Sequence, residues 1–278
     1  MKKKLLVILG LAVMSLFLFA GCGSDDAATG DADVNPNFDE NTITICTMEE
    51  FYFKDIVEVA AEVLEEQGYT VEITTIADNV TPNVAVAEGS IEYSFFEHVP
   101  FLDAFNASEQ GGNLVVIGEP ITAAEEGLYS NVYSSIEEIE DGATVAIPND
   151  TSNRTMHLRF MESLGLITLP EGQDTVNVTD IIDNPKNLQF IEMDTPNIVG
   201  SLNDVDLGTC SQSSIVKRGI DPTTALETYI DPSLGIVLVT TAGNENTQKS
   251  QDLYAAFTSQ AVRDFLDNNY LNVVRPLF

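Results

Sequence analysis

Side chains that could carry out covalent, acid–base or metal chemistry are scarce in this chain of 278 residues. Its histidines and cysteines are His98, His157, Cys22, Cys46 and Cys210. There is no Cys-x-x-Cys pair, so the spacing does not support a structural zinc site. The Gly-x-Ser-x-Gly elbow of hydrolases and the P-loop are also missing, and among 44 acidic residues a chance carboxylate pair is uninformative. We therefore expect no metal, no cofactor and no enzymatic activity.

Cys46 and Cys210 lie far apart in the sequence, and separation alone does not decide whether they pair. In an oxidising exterior the two thiols could form a disulfide. We favour free, part-buried thiols and leave the pairing open.

The residues around Cys22 have the pattern of a processed N-terminus. Three lysines at positions 2–4 precede an apolar run from Leu5 to Ala20 that contains no charge. The run is shorter than the roughly 20 residues that span a bilayer and ends in small residues, which favours cleavage. Residues 18–22, Leu-Phe-Ala-Gly-Cys, resemble the bacterial lipobox, in which the cysteine thiol is lipidated. We expect a signal peptide at 1–21 and lipidation of Cys22; secretory cleavage that leaves an unmodified cysteine is the alternative.

The segment that follows is too polar to fold by itself. Residues 22–42 are rich in Asp, Gly, Ala and Asn, without apolar periodicity, and cannot bury enough surface to offset their ordering entropy. We interpret them as a flexible tether. The remaining stretch of about 235 residues suits two lobes of ordinary domain size.

The charge balance excludes several kinds of partner. The chain has 12 basic and 44 acidic residues; without the three lysines of the signal peptide, nine basic residues remain, a formal charge of −35. Nucleic acids and anionic lipid surfaces are recognised through lysine and arginine, so neither is an expected partner. A solvated acidic coat is the interpretation that we favour over adaptation to high salt.

Apolar periodicity predicts strands that alternate with helices. The predicted strands cover residues 43–46, 71–75, 91–95, 114–117, 143–147, 188–191, 205–207 and 235–240. The predicted helices cover 56–64, 81–89, 100–105, 149–165, 248–257 and 260–266, with Thr81 as the N-cap of the second and Asn149-Asp150 as cap residues of the fourth. Such alternation favours an α/β fold with a mainly parallel sheet.

Several segments resemble the NlpA/MetQ-like family, the methionine-binding lipoproteins of ABC importers. The resemblance is carried by residues 82–89, 95–102, 126–130, 141–150, 180–188 and 204–207, and it extends over nearly all of 43–278. It implies a two-lobed periplasmic-binding-protein type II-like fold with a ligand cleft between the lobes. The implied first lobe comprises 43–126 plus 236–278, and the second comprises 127–235.

The resemblance also implies a function. A member of this family captures methionine or a related small amino-acid-like ligand and delivers it to an ABC permease driven by an ATPase. We expect a monomer, attached by a lipid anchor to the extracytoplasmic side of the cell membrane. The alternatives are a surface lipoprotein that has lost its ligand and serves in adhesion or signalling, and, less favoured, an enzyme.

Ligand-binding residues follow from the resemblance at three positions of one segment. Phe96 and His98 stand where the family has an aromatic wall and a histidine donor in the cleft, and Phe101 replaces a tyrosine. Outside this family context, both phenylalanines read as core residues and His98 as a loop histidine.

Other positions depart from the family pattern. The arginine that binds the ligand carboxylate falls at Met156, a pocket tyrosine falls at Asn79, and two asparagines fall at Ser211 and Gly235. Losing a charge-assisted arginine contact should weaken binding of a zwitterion by about 2 to 5 kcal/mol. Arg154 could replace it, or could instead bind acidic neighbours at the surface. We expect weak or absent methionine binding and a different small, partly apolar ligand, with Asn79, Arg154 and Ser211 as further site residues.

Overall fold

A computed structural model describes residues 38–49, 52–108, 111–231, 234–270 and 273–278. The predicted signal peptide 1–21, Cys22 and most of the predicted tether 22–42 lie outside these ranges. Within them, no helix has the length and apolar character needed to cross a membrane.

Strands and helices alternate along most of the chain. The strands are β1 (Thr42–Met48), β2 (Thr70–Ile76), β3 (Tyr93–His98), β4 (Leu114–Ala124), β5 (Glu126–Tyr129), β6 (Thr144–Pro148), β7 (Gln189–Met193), β8 (Leu207–Ser211), β9 (Glu227–Tyr229), β10 (Ile236–Thr241) and β11 (Val274–Pro276). The α-helices are α1 (Phe53–Glu66), α2 (Thr81–Ala87), α3 (Val99–Asn106), α4 (Thr151–Ser163), α5 (Ile198–Ser201), α6 (Gln212–Lys217), α7 (Gln248–Phe257) and α8 (Gln260–Asn269).

The described strands form two sheets, one in each lobe of an α/β fold. The first has the order β11-β4-β10-β3-β1-β2, and the second has the order β7-β6-β8-β5-β9. The chain passes from the first sheet to the second between β4 and β5 and returns between β9 and β10. We call the first sheet with α1–α3, α7 and α8 the first lobe, and the second sheet with α4–α6 the second lobe. The predicted lobe bounds, 43–126 plus 236–278 and 127–235, stay a prediction.

The expectation of a mainly parallel sheet needs correction, because both sheets are mixed. In the first lobe β1 is parallel to β2 and β3, but β10 is antiparallel to β3 and β4, and β11 is antiparallel to β4. In the second lobe β6 is parallel to β7 and β8, whereas β5 is antiparallel to β8 and β9. β10, which follows the whole second lobe in the chain, is antiparallel to both of its neighbours in the first sheet. An apolar run does not encode its own direction.

Each lobe has its own apolar core. In the first lobe, the ring centroids of Phe53 and Phe95 lie 6.0 Å apart, and those of Phe95 and Phe257 lie 4.9 Å apart. These rings belong to the core that also contains the apolar face of α1. In the second, Leu128, Val145 and other β-strand residues pack against the inner face of α4. Each fully buried aliphatic or aromatic side chain contributes roughly 1.5–3 kcal/mol to the stability of the fold. The two cores therefore stabilise the lobes, and the lobes position the residues that lie between them.

A buried ion pair fastens the start of the described chain. The Lys249 ammonium on α7 lies 2.9 and 3.0 Å from the two carboxylate oxygens of Glu92, and it also donates to the carbonyls of Asp39 and Thr42. The segment that leads into β1 is therefore tied to α7 within the first lobe.

Local details differ from the sequence expectations. Thr81 is not the N-cap of α2; it is the first helical residue, and the Asp78 carboxylate accepts from the backbone N–H groups of Val80 and Thr81. β8 begins at Leu207, because Asp206 instead receives bonds from the backbone and hydroxyl of Thr144. The short elements β5, β9, β11 and α6 were not expected.

Both described cysteines are free and buried. Cys46 lies in β1 of the first lobe and Cys210 in β8 of the second, so the fold separates them. Burial raises the pKa of the Cys46 thiol to about 12 and raises that of Cys210 as well, which makes both unreactive. Burial is more complete than the sequence suggested.

Candidate ligand-binding site

A cavity of ≈ 100 Å³ is lined by residues of both lobes. The first lobe contributes Met48, Tyr52, Phe53, Asn79, Phe96, Glu97, His98, Phe101, Ala124 and Ile236, and the second contributes Glu126, Asn153, Met156, His157, Thr195, Ser211, Tyr229, Asp231 and Leu234. One water needs roughly 10–15 Å³ of such space, so the cavity holds roughly seven to ten water-sized groups. That is the size of one free amino acid or a molecule like it.

Aromatic side chains form the apolar wall of the cavity. The rings of Phe96 and Phe101 meet edge to face with centroids 5.9 Å apart, and those of Tyr52 and Phe53 lie 4.7 Å apart. Pro100 in the first turn of α3 and the end of β3 bring Phe96 and Phe101 to the same place. From the second lobe, Tyr229 faces the cavity. The wall suits an apolar ligand arm.

His98 joins the two lobes through a defined tautomer. Its Nδ1 accepts from the backbone N–H of Phe101 at 3.2 Å and so caps α3. Nε2 therefore carries the proton and donates to Oδ1 of Asn153 on α4 at 3.0 Å. Burial lowers the pKa of His98, so the ring is neutral.

A second polar link between the lobes lies beside the first. The amide of Asn79 donates to the Asp150 carboxylate at 3.3 Å, and that carboxylate also accepts from the backbone and side-chain amides of Asn153. Asp150 is the N-cap of α4, as its sequence position predicts. The start of α4 is thereby already paired with an anion of the protein itself.

The second lobe contributes an acid–imidazole pair. Nδ1 of His157 lies 2.6 Å from the Thr209 hydroxyl, and Nε2 lies 3.6 Å from Oε2 of Glu126. Nε2 of His157 faces the Glu126 carboxyl group across a gap that is too long for a hydrogen bond. Burial lowers the pKa of His157 to about 4 and raises that of Glu126 to about 8. At neutral pH neither group is charged.

Glu97 is a second buried acid beside the cavity. Its side chain is 3% exposed, and Oε2 accepts from the amide of Asn83 at 2.8 Å. Oε1 has no hydrogen-bond partner among the described residues. Burial raises the pKa of Glu97 to about 8.

The structure brings together most of the residues expected from the sequence. Phe96, His98, Phe101, Asn79 and Ser211 all line the cavity. The hydroxyl of Ser211 caps α6 and lies 2.9 Å from that of Ser213. Their contact with a ligand stays a prediction.

Arg154 lies elsewhere. Its guanidinium donates to the Glu192 carboxylate at 2.8 Å and to the carbonyl of Asn149 at 3.1 Å, and the residue does not line the cavity. Of the two roles expected for Arg154 from the sequence, the structure therefore shows the one in which it binds an acidic neighbour and not the cavity. Met156, at the position expected for the carboxylate-binding arginine, does line it.

Sequence reasoning missed most of the polar residues that line the cavity, among them Glu97, Glu126 and His157. Glu126 opens a segment that carries the family resemblance, but one glutamate among 44 acidic residues gave no signal. Within the described ranges, no group of three or more His, Cys, Asp or Glu is arranged to hold a metal ion.

Two α/β lobes that enclose a small cavity, with both lobes lining it, define a two-lobed substrate-binding protein. The family model described as NlpA lipoprotein matches residues 43–278, and the chain belongs to that family, which is not a family of enzymes.

Relatives share both the sequence and the fold. A probable D-methionine-binding lipoprotein MetQ of Vibrio cholerae is 32% identical over 94% of this chain and 92% of its own length. The structure of an ABC transporter periplasmic substrate-binding protein from Coxiella burnetii superposes with a TM-score of 0.78, at 30% identity, over 84% of this chain and 99% of that one. A nutrient-binding protein from Burkholderia cenocepacia bound to methionine gives 0.79 at 25% identity, over 85% of this chain and all of that one (100%).

Proposed function

We propose that this chain is the substrate-binding lipoprotein of an ABC importer. It captures methionine or a related small amino-acid-like ligand outside the cytoplasm and delivers it to the permease. The observation that carries the proposal is the cavity itself, which is of amino-acid size and is lined by both lobes. Relatives over nearly the whole chain are named as D-methionine-binding or probable D-methionine-binding lipoproteins, which supports the same function.

Attachment to the membrane follows from the N-terminal pattern. Cys22, freed by cleavage after Gly21, would carry the lipid, and the residues up to β1 would tether the lobes to the outer face of the membrane. Each buried methylene contributes roughly 0.8 kcal/mol, so a two- or three-chain anchor is effectively stable. The protein acts as a monomer in this proposal, with the permease and its ATPase as partners.

The contacts across the cavity describe how the lobes hold a ligand. His98 and Asn153 join the lobes on one side, with Asn79 and Asp150 nearby. Lys217 on α6 reaches the first lobe, where it donates to the carbonyl of Glu49 at 2.9 Å and lies 3.3 Å from the Asp55 carboxylate. Opening the lobes must break these bonds, so they favour the closed state that retains a ligand.

One observation favours the alternative of a surface lipoprotein without a ligand. Met156 offers no charge where the family has an arginine, and Arg154 is engaged with Glu192. A protein that serves only in adhesion or signalling needs no intact binding site. The two functions differ in whether any small molecule stabilises the chain.

A thermal-shift screen of L- and D-amino acids, amines and short peptides tests the proposal. A ligand at a hundred times its dissociation constant adds about 2.7 kcal/mol to the free energy of unfolding, which shifts the melting temperature by several degrees. Chromatography of the ligand after hours of incubation should recover it unchanged, because no catalysis is expected. If no compound shifts the transition and no permease gene lies nearby, the alternative function is the better one.

A further inference from the structure

Lysine and arginine are missing from the lining of the cavity within the described ranges. Beyond the lysines at positions 2–4, the chain has nine lysines and arginines, all within those ranges, and none of them lines the cavity. Those nearest in sequence to lining residues are paired elsewhere: Arg154 with Glu192, and Lys54 with Glu49. A ligand carboxylate in this cavity would have no positively charged partner.

Acids line the cavity instead. Glu126, Glu97 and Asp231 contribute to its wall. The Glu126 side chain is 17% exposed, its carboxyl group has no hydrogen bond to the described residues, and Oε2 lies 3.6 Å from Nε2 of His157. That distance is too long for a hydrogen bond, so the carboxyl group keeps its full bonding capacity for a ligand.

Several neutral donors around the cavity are already engaged. The one N–H of the His98 ring is bonded to Asn153, and the amides of Asn79 and Asn153 are bonded to Asp150. The helix starts at α3, α4 and α6 are capped by His98, Asp150 and Ser211. An anionic group would find few free donors, whereas an ammonium group would find free acceptors.

We propose that the cavity takes a small organic amine: a ligand with a protonated amino group and a short apolar arm, and without a carboxylate. The proposal rests on the proposed function and deepens it by naming the ligand class. The Glu126 carboxylate accepts from the ammonium group. The rings of Tyr52, Phe96 and Phe101 enclose the apolar arm, and an aromatic face also attracts a cation.

Binding of an ammonium group should release a proton from Glu126. Glu126 is protonated at neutral pH, because burial raises its pKa to about 8. An ammonium partner favours the ionised carboxylate, so binding releases a proton. The other titratable groups that line the cavity are Glu97, Asp231, His98, His157, Tyr52 and Tyr229. Both imidazoles have lowered pKa values, so they add no positive charge against the ligand.

Four compounds with the same thioether arm separate the possibilities: L-methionine, L-methioninol, 3-(methylthio)propylamine and 4-(methylthio)butanoate. They carry, in order, an amine with a carboxylate, an amine with a hydroxyl group, an amine alone and a carboxylate alone. Isothermal titration calorimetry with the wild-type protein at pH 7 compares their affinities. Glu126→Gln tests the acceptor, and Glu125→Gln is the matched control, since Glu125 pairs with Arg275 and does not line the cavity.

We expect both carboxylate-free amines to bind at least roughly 30-fold more tightly than L-methionine, and the butanoate not to bind. Glu126→Gln should weaken amine binding by a similar factor, and Glu125→Gln should not. Equal or tighter binding of L-methionine would overturn the amine proposal and leave the proposed function standing. If the amines bind and Glu126→Gln does not change their affinity, the amine proposal is likewise overturned and the proposed function still stands. If folded wild-type protein binds neither amine at millimolar concentration, the amine proposal fails, whereas the proposed function is overturned only if the wider thermal-shift screen also finds no ligand.

Discussion

Replacing Met156 by arginine should return carboxylate recognition to the cavity. Met156 lines the cavity from α4, one turn beyond Asn153, at the position where the family resemblance places an arginine. The new guanidinium would face a site that holds no other cation, so a ligand carboxylate would be its natural partner. The same charge would repel an amine that lacks a carboxylate.

The size of the effect follows from the kind of bond that is added. A charge-assisted, bidentate arginine–carboxylate contact is about twice as strong as a neutral hydrogen bond. A buried charged pair changes binding by about 2 to 5 kcal/mol, which corresponds to roughly 30-fold to several thousand-fold in the dissociation constant. In the Met156→Arg variant, L-methionine should bind at least roughly 30-fold more tightly than in the wild type. The affinity for 3-(methylthio)propylamine should fall.

Calorimetry on three proteins provides the assay. Wild type and Met156→Arg are compared with Met156→Leu, which keeps an apolar side chain of similar volume and adds no charge. Melting curves establish that each variant is folded before binding is measured. Our reasoning is refuted if folded Met156→Arg gains no affinity for L-methionine, or if Met156→Leu gains as much.

Three further predictions concern charge and stability. Burial raises the folded-state pKa of Glu126 to about 8 from 4.5, so its contribution to stability is complete below pH 4.5 and is lost as the pH rises towards 8. Urea unfolding of the ligand-free protein should show this decline in the free energy of unfolding, and Glu126→Gln should make the decline smaller. Lys249→Met leaves the buried Glu92 carboxylate without its partner, and should lower the free energy of unfolding by about 3–5 kcal/mol in the same assay. Lys217→Met removes the bond from α6 to Asp55 across the lobes, and should raise the ligand dissociation rate in stopped-flow measurements more than it changes the melting temperature; an unchanged dissociation rate would show that this bond does not hold the lobes closed.

Much of the fold could be predicted from local pattern. The apolar residues of α1 recur at helical spacing, and Pro100 and Asp150 mark where α3 and α4 begin, as the structure confirms. The direction of β10 could not be predicted, because Ile236–Thr241 is apolar in either orientation and its neighbours come from distant parts of the chain. Short strands such as β9 carry too few residues for any periodicity.

The site was predictable only where a residue type is rare or a segment resembles the family. His98 is one of two histidines and stands in a recognisable segment between Phe96 and Phe101. Glu126 was not predictable, because its proposed role depends on burial and on the distance to His157, neither of which a single sequence displays. Arg154 was a reasonable candidate from its position on α4, but its guanidinium is bonded to Glu192.

Native mass spectrometry of protein purified without refolding tests the central claim most directly, since a closed binding protein retains its ligand. We predict a one-to-one complex with a small molecule that carries an amine and no carboxylate, released on unfolding with an unchanged mass. A retained amino acid with a free carboxylate would contradict the inferred ligand class. Protein that carries no small molecule, and that takes up none from a mixture of amines and amino acids, would contradict the proposed capture of a ligand between the two lobes.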